Sequence, residues 1–208
     1  MADAWSAFNR GYYDSRVWEQ TTWLGVPVLK APTDLWMYQE LVTQRRPDLI
    51  IESGTYLGGS ALFLASVCEL IGHGRVVSID LARWGPLPEH PRIVYLQGSS
   101  VEPATLDQVR DLGSQAAAGR CLVILDSDHR REHVLAELHA YAPFVGVGDY
   151  LVVEDTNVNG HPVMPEHGPG PMEAVEQFLV EQPAFEADPG CEKFGLTFNP
   201  RGYLRRVR

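Results

Sequence analysis

Apolar and polar positions fall into blocks along this chain, either short continuous apolar runs or longer stretches with helical spacing. A short apolar run bounded by turn residues reads as a strand buried on both faces, as in a parallel sheet covered by helices. Strands are predicted on this basis at 48–52, 75–79, 92–96, 121–125 and 150–153. Between them lie predicted helices at 60–71, closed by Gly72, and near 103–117 and 131–141. Ahead of the first strand, Leu35, Trp36, Tyr38, Leu41 and Val42 are spaced for an amphipathic helix over 34–43, with Thr33 or Asp34 as its N-cap. Strands alternating with helices predict an α/β, doubly wound fold with a parallel sheet.

The two ends of the chain depart from this alternation. Residues 1–32 are rich in aromatics (Trp5, Phe8, Tyr12, Tyr13, Trp18, Trp23) and read as a short helix followed by an extended arm. The loop 157–171 holds four prolines, three glycines and two histidines, and its length in a compact domain marks it as functional or disordered. A helix is predicted at 172–180, and 193–198 with 202–207 flank Asn199-Pro200-Arg201 as a terminal hairpin. The chain thus divides into an arm, 1–32, and one domain, 33–208, long enough to bury a substantial core.

Charge and cysteine usage narrow the possible partners. A net charge of −10 and a pI near 5.1 argue against a nucleic-acid or anionic-membrane surface. Cys68, Cys121 and Cys191 are odd in number, far apart and without a CxxC pair, which fits reduced thiols better than a disulfide framework or a zinc site. No secretory leader is visible in residues 1–10, and no apolar run approaches the ~20 residues of a membrane span. A soluble, cytoplasmic protein is the expectation.

The candidate chemistry sits at strand ends. Asp126-Ser127-Asp128-His129 and Glu154-Asp155-Thr156-Asn157 each follow an apolar strand, which puts their carboxylates in the crevice where open α/β sheets bind ligands. Several carboxylates around one point repel unless a hard cation such as Mg²⁺ fills the space. Asp126, Glu154 and Asp155 therefore read as a metal site, against the plain alternative of solvated strand-end acids. Asp128 could replace Asp126, and His129 is near enough to serve as a base. His161 and His167 in the long loop are weaker candidates. The first strand runs into Glu52-Ser53-Gly54-Thr55-Tyr56-Leu57-Gly58-Gly59-Ser60 and then a helix, a turn whose glycines and free N–H groups suit a close approach to ligand. The spacing is not GxGxxG. Asp80 ends the next strand, where a carboxylate can accept from ribose hydroxyls, and Gly98-Ser99-Ser100 could flank an adenine.

The stretches YYDSRVWEQTTWLGVPVLKAPTDLWMYQEL (12–41), ESGTYLGGSA (52–61), LDSDH (125–129) and VVEDTNVNG (152–160) resemble the cephalosporin hydroxylase/rhamnosyl O-methyltransferase family. The resemblance covers nearly the whole chain and is most specific in its N-terminal stretch. It implies a Rossmann-like class I methyltransferase that binds S-adenosylmethionine, with a seven-stranded, mostly parallel sheet and an antiparallel last strand. It also implies a Mg²⁺-type site similar to that of catechol and macrolide-sugar O-methyltransferases. By this resemblance Glu52, Gly54, Tyr56, Gly58 and Ser60 hold the methionine end of the cofactor, Asp80 the ribose, and Ser99 the adenine side. Asp126, Glu154 and Asp155 match the metal ligands, Asp126 bordering the cofactor as well, and His129 matches the general base. The implied reaction is metal-dependent methylation of a hydroxyl on a sugar or other natural product, a small-molecule acceptor selected by 1–32 and 156–171. Alternatives are a hydroxylase-like component of antibiotic biosynthesis and a non-catalytic cofactor-binding accessory protein. The aromatic arm could pack against a second subunit.

Overall fold

The computed structural model describes residues 2–115 and 119–208. Helix α1 (Ala2–Asp14) and a 3-10 turn (Val17–Gln20) lead into a small antiparallel hairpin, β1 (Thr22–Trp23) and β2 (Val26–Pro27). Then follow α2 (Pro32–Arg45), β3 (Leu49–Ser53), α3 (Gly59–Leu70), β4 (Arg75–Asp80), β5 (Ile93–Gln97) and α4 (Pro103–Gln115). The second half contains β6 (Cys121–Leu125), α5 (Arg131–Tyr141), β7 (Tyr150–Val153), α6 (Pro171–Glu181), β8 (Phe185–Ala187) and β9 (Tyr203–Arg206). The five predicted strands are found within a residue or two. Residues 116–117 of the predicted fourth helix lie outside the described residues.

Seven strands form one sheet in the order β5-β4-β3-β6-β7-β9-β8. β3 to β7 are mutually parallel, while β9 runs antiparallel to both β7 and β8, so the last strand alone is reversed. Successive residues of β3 alternate between two cores, because side chains alternate across a strand. Leu49 and Ile51 face a core built with α4, α5 and α6, and Ile50 faces one built with α2 and α3. Burial on both faces is what makes these strands continuously apolar in sequence. No described helix is long and apolar enough to cross a membrane.

The arm folds back on the domain. Trp23 packs edge-on against Phe63 of α3 with centroids 4.9 Å apart, and its Nε1 donates to Ser66 Oγ at 3.1 Å. At the start of α3, a Cβ on Gly59 would stand 2.0 Å from the Pro27 carbonyl oxygen, so the hairpin meets the helix where only glycine leaves room. Tyr12, Tyr13 and Trp18 pack around Ala31, Leu196 and Phe198 as a third, small cluster.

Three sequence expectations are corrected. α2 starts at Pro32 with Ala31 as N-cap and no side-chain cap, since proline at the first helical position loses no needed N–H. Asp34 turns inward instead: its carboxylate accepts from Thr197 Oγ1 (2.5 Å), Phe198 N (2.8 Å) and Tyr203 Oη (2.9 Å). Trp36, counted on the apolar face, is 60% exposed and donates to Glu40. Finally, 193–198 forms no strand; β9 pairs with β8 and β7, because the segment before Asn199 is drawn toward Asp34 and the arm.

Asp34→Ala would leave three donors unpaired in the interior and should lower stability by at least ~3 kcal/mol, read as a lower urea midpoint with unchanged slope. An exposed N-cap would cost only ~1 kcal/mol, so the size of the loss tells the two roles apart.

Candidate active site

Register places the functional residues side by side. Ser53 of β3 is level with Leu125 of β6, and Leu125 with Val153 of β7, so Gly54, Asp126 and Glu154 leave the sheet at one height. The backbone continues this pairing past the strands, with Asp126 N donating to Ser53 O (3.0 Å) and Glu154 N to Leu125 O (2.9 Å). Gly54 has φ +90°, and a Cβ there would stand 1.8 Å from the Asp126 carbonyl oxygen. No other residue fits that crossing.

The turn after β3 is braced by its neighbours. Asp80 Oδ2 accepts from Thr55 N (3.0 Å) and Tyr56 N (2.9 Å), so this acid shapes the turn besides bordering the cavity. Tyr56 sits at φ +47°, a costly conformation, with its N–H held by Asp80. Glu52 is fully buried behind the turn; Ser78 Oγ donates to its Oε2 at 2.6 Å, while its Oε1 has no partner among the described residues. Burial raises the Glu52 carboxyl against the pull of Lys30.

The acids converge on a buried lysine. Lys30, on the segment joining the hairpin to α2, places Nζ 2.6 Å from Asp126 Oδ2 and 2.5 Å from Glu154 Oε1. Tyr38 Oη donates to the same Glu154 Oε1 at 2.5 Å, and Asn199 Nδ2 donates to Tyr38 Oη at 3.2 Å. Burial raises the Glu154 carboxyl above the ordinary carboxylate range, and Lys30 draws it back down. Two donors converging on one oxygen suit the ionised form, and Lys30 is correspondingly held charged by Asp126 and Glu154 against its burial.

His129 stands on the other side of Asp126. Its Nε2 is 3.3 Å from Asp126 Oδ1 and 3.3 Å from Asp155 Oδ2. Burial lowers the imidazole, but Asp155, Asp126 and Glu154 outweigh it and raise it to about 9. Asp155 sits at φ +54° with its N–H donated to Asn199 Oδ1 at 3.0 Å. One ligand atom each from Asp126, His129 and Asp155 fall within 4.8 Å of one another, a spacing that could hold a metal ion. The hard oxygens of Asp126 and Asp155 suit a divalent cation that keeps several waters.

A cavity of about 660 Å³ joins these parts. Gly54, Tyr56, Ser60, Asp80 and Ser99 line it together with Lys30, Asp126, His129 and Asp155. Glu52, Gly58 and Glu154 stand behind its wall; a Cβ on Gly58 would meet Pro88 Cδ at 2.8 Å, so that glycine serves packing at the start of α3. Asp128 is engaged by the Arg130 guanidinium, which holds its carboxyl down to about 2, and Asp126 is the member of the pair that meets His129 and Asp155. His161 pairs with Glu173 at 2.9 Å and His167 reaches the Gly168 carbonyl, neither in the cavity wall. Lys30 was not foreseen as a site residue, although an isolated lysine in Val26-Pro27-Val28-Leu29-Lys30-Ala31-Pro32, one of two in the chain, was the available signal.

A seven-stranded sheet with one reversed strand, a glycine turn after the first sheet strand and acids at the neighbouring strand ends define a class I methyltransferase fold. The structure of CmcI with Mg and SAM has this fold: TM-score 0.71, 22% identity, covering 91% of this chain and 78% of that one. Residues 15–207 match the family described as Rhamnosyl O-methyltransferase/CmcI, and the chain belongs to that family. A relative named Rhamnosyl O-methyltransferase, from Mycobacterium leprae (strain TN), is 43% identical over 204 residues, spanning 96% of this chain and 89% of its own length. One of the same name from Mycobacterium tuberculosis (strain ATCC 25618 / H37Rv) is 40% identical over 205 residues, spanning 96% and 83%.

Because the folded pKa of His129 lies above its ordinary value, the stability it contributes is full below pH ~6.5 and is lost as pH rises through about 9. In metal-free protein the stability gap between wild type and His129→Gln should therefore be widest below pH ~6.5 and close through about 9. Denaturant melts across pH measure it, and NMR titration of the imidazole protons gives the midpoint directly.

Proposed function

We propose that this protein transfers the methyl group of S-adenosylmethionine to a hydroxyl of a sugar or similar natural product, with a divalent cation at the Asp126–Asp155 edge of the cavity. The observation that carries this reading is the shared cavity: the glycine turn with Asp80 and Ser99 forms one side, and Asp126, His129 and Asp155 form the other. Membership of a family named for rhamnosyl O-methylation supports a sugar-like acceptor, and the CmcI neighbour with Mg and SAM supports both cofactors. The residues fit each group. Asp80 and Ser99 offer polar atoms to a nucleoside along the cavity, and Asp126 with Asp155 offers hard oxygens for Mg²⁺.

The chemical burden lies in making the nucleophile, since a sulfonium already carries a good leaving group. A hydroxyl as weakly acidic as water, ~15.7, stands roughly 9 units above an ordinary imidazole, near 12 kcal/mol for full proton transfer. Base catalysis alone, worth ~10²–10⁴-fold, falls short of that. A divalent ion, when bound, would polarise the acceptor oxygen and fix it in place. His129 stands beside both acids, where it could take the hydroxyl proton once a bound cation draws their charge away, and Asp126 and Asp155 would stabilise the imidazolium that forms. The turn at Gly54 lets the backbone approach the cofactor closely, and the arm lines the cavity through Trp18 and Leu29.

Incubation with S-adenosylmethionine, Mg²⁺ and a rhamnoside should yield a product heavier by one methyl group. Asp126→Ala should abolish turnover, and His129→Gln should lower kcat by ~10²–10⁴-fold. Turnover undiminished by excess chelator would remove the cation from the reading, and a product heavier by one oxygen would replace methylation with hydroxylation.

A further inference from the structure

We infer that the N-terminal arm builds a dry aromatic wall for the acceptor, with Trp18 as its flat face, and that this wall selects a deoxysugar over its fully hydroxylated counterpart. The inference rests on the methyl-transfer reading proposed above and adds a substrate class to it.

The arm's share of the cavity is one-sided. Up to Lys30 it contributes Trp18, Pro27, Val28 and Leu29, none of which carries a charge, whereas the strand ends bring Asp80, Asp126 and Asp155. Trp18 stands beside the reactive edge. Its ring meets Phe198 edge-on with centroids 5.6 Å apart, and the next residue, Asn199, accepts the Asp155 N–H at 3.0 Å. A sugar ring lying on Trp18 can therefore turn its rim hydroxyls toward Asp155, where the proposed cation would polarise one of them.

The wall is fixed, and its polar hydrogens point away from a ligand. Tyr13 stacks on Trp18 with centroids 5.3 Å apart and planes at 28°. The Trp18 carbonyl accepts from Thr21 Oγ1 at 2.6 Å, which holds the turn that carries the ring. Trp18 Nε1 donates to Tyr13 O at 2.9 Å, and Tyr13 Oη donates to Met164 Sδ at 3.1 Å. Both hydrogens are spent inside the protein. Carbon-bound hydrogens of a sugar are electropositive and meet the negative face of an aromatic ring favourably. A hydroxyl pressed against the same wall would lose water without gaining a donor. A hexose with a methyl group at C6 offers the wall an apolar surface and keeps its ring hydroxyls for the ion. The Tyr13–Met164 contact also joins the arm to the loop 157–171, so the two segments expected to choose the acceptor support one surface.

The test compares methyl L-rhamnoside with methyl L-mannoside, which differ only by the hydroxyl at C6, as acceptors for the full chain with S-adenosylmethionine and Mg²⁺. Wild type should favour the rhamnoside in kcat/KM by about tenfold or more. Trp18→Ala should raise KM for the rhamnoside about tenfold, keep KM for S-adenosylmethionine within about twofold, and bring the preference close to one. Trp18→Phe, which retains a flat ring, should stay within about threefold of wild type. Should Trp18→Ala fold poorly, Leu29→Asn repeats the test from a wall position that is 40% exposed. By adding a free donor it should cut the preference at least about threefold. Equal wild-type kcat/KM for the two glycosides, or a preference untouched by both Trp18→Ala and Leu29→Asn, overturns the role of the wall and leaves methyl transfer standing. No methylated product from either glycoside would instead sink the methyl-transfer reading and this inference together.

Discussion

Crowding of negative charge at the carboxyl edge of the sheet is the constraint on which the rest of this structure depends. Parallel pairing of β3, β6 and β7 leaves Asp126 and Glu154 at the same height with Asp155 one residue beyond. Bringing buried carboxylates this close is unfavourable by several kcal/mol unless opposite charge and hydrogen bonds accompany them. Lys30, Tyr38 and His129 supply both on the inner side, and the cavity side is left to a ligand.

That requirement explains the path of the N-terminal arm. A lysine could reach the strand ends only from a segment lying across them, and the hairpin puts one there by seating Pro27 on Gly59 and Trp23 on Phe63. The arm is therefore part of the site's electrostatics as well as its cover. The same segment then turns into α2, whose Asp34 and Tyr38 face the interior and bind the region around Asn199. The stretch from Lys30 to Tyr38 thus ties the arm, the acids and the final strand together.

Much of the fold was legible in the sequence, because burial on both faces leaves an uninterrupted apolar signature at β3, β4, β6 and β7. The acids at strand ends and the glycine turn were legible for the same reason, since a strand's end marks where its next side chain points. What escaped were partnerships over long separations. Lys30 meets residues 96 and 124 positions away, and nothing in its local pattern names them. Asp34 carried a perfectly ordinary N-cap signal that a buried trio of donors overrode. Residues 193–198 looked like strand because Phe194, Leu196 and Phe198 alternate, but the latter two answer to the aromatic arm instead of to a neighbouring strand. Asp80 was read by its position alone, whereas the amides it braces come from another loop, 24 and 25 residues earlier.

The Asn199 side chain has a consequence for how the molecule comes together. Its Oδ1 holds Asp155 in a left-handed conformation, and its Nδ2 steadies the tyrosine behind Glu154. It lies just ahead of β9, which comes after every other described strand in chain order. During synthesis the five parallel strands β3 to β7 are all made by residue 153, yet the support that Asn199 gives to Asp155 and Tyr38 waits for this late segment. A ribosome-bound intermediate would carry five of the seven sheet strands and an Asp155 still without its Asn199 partner.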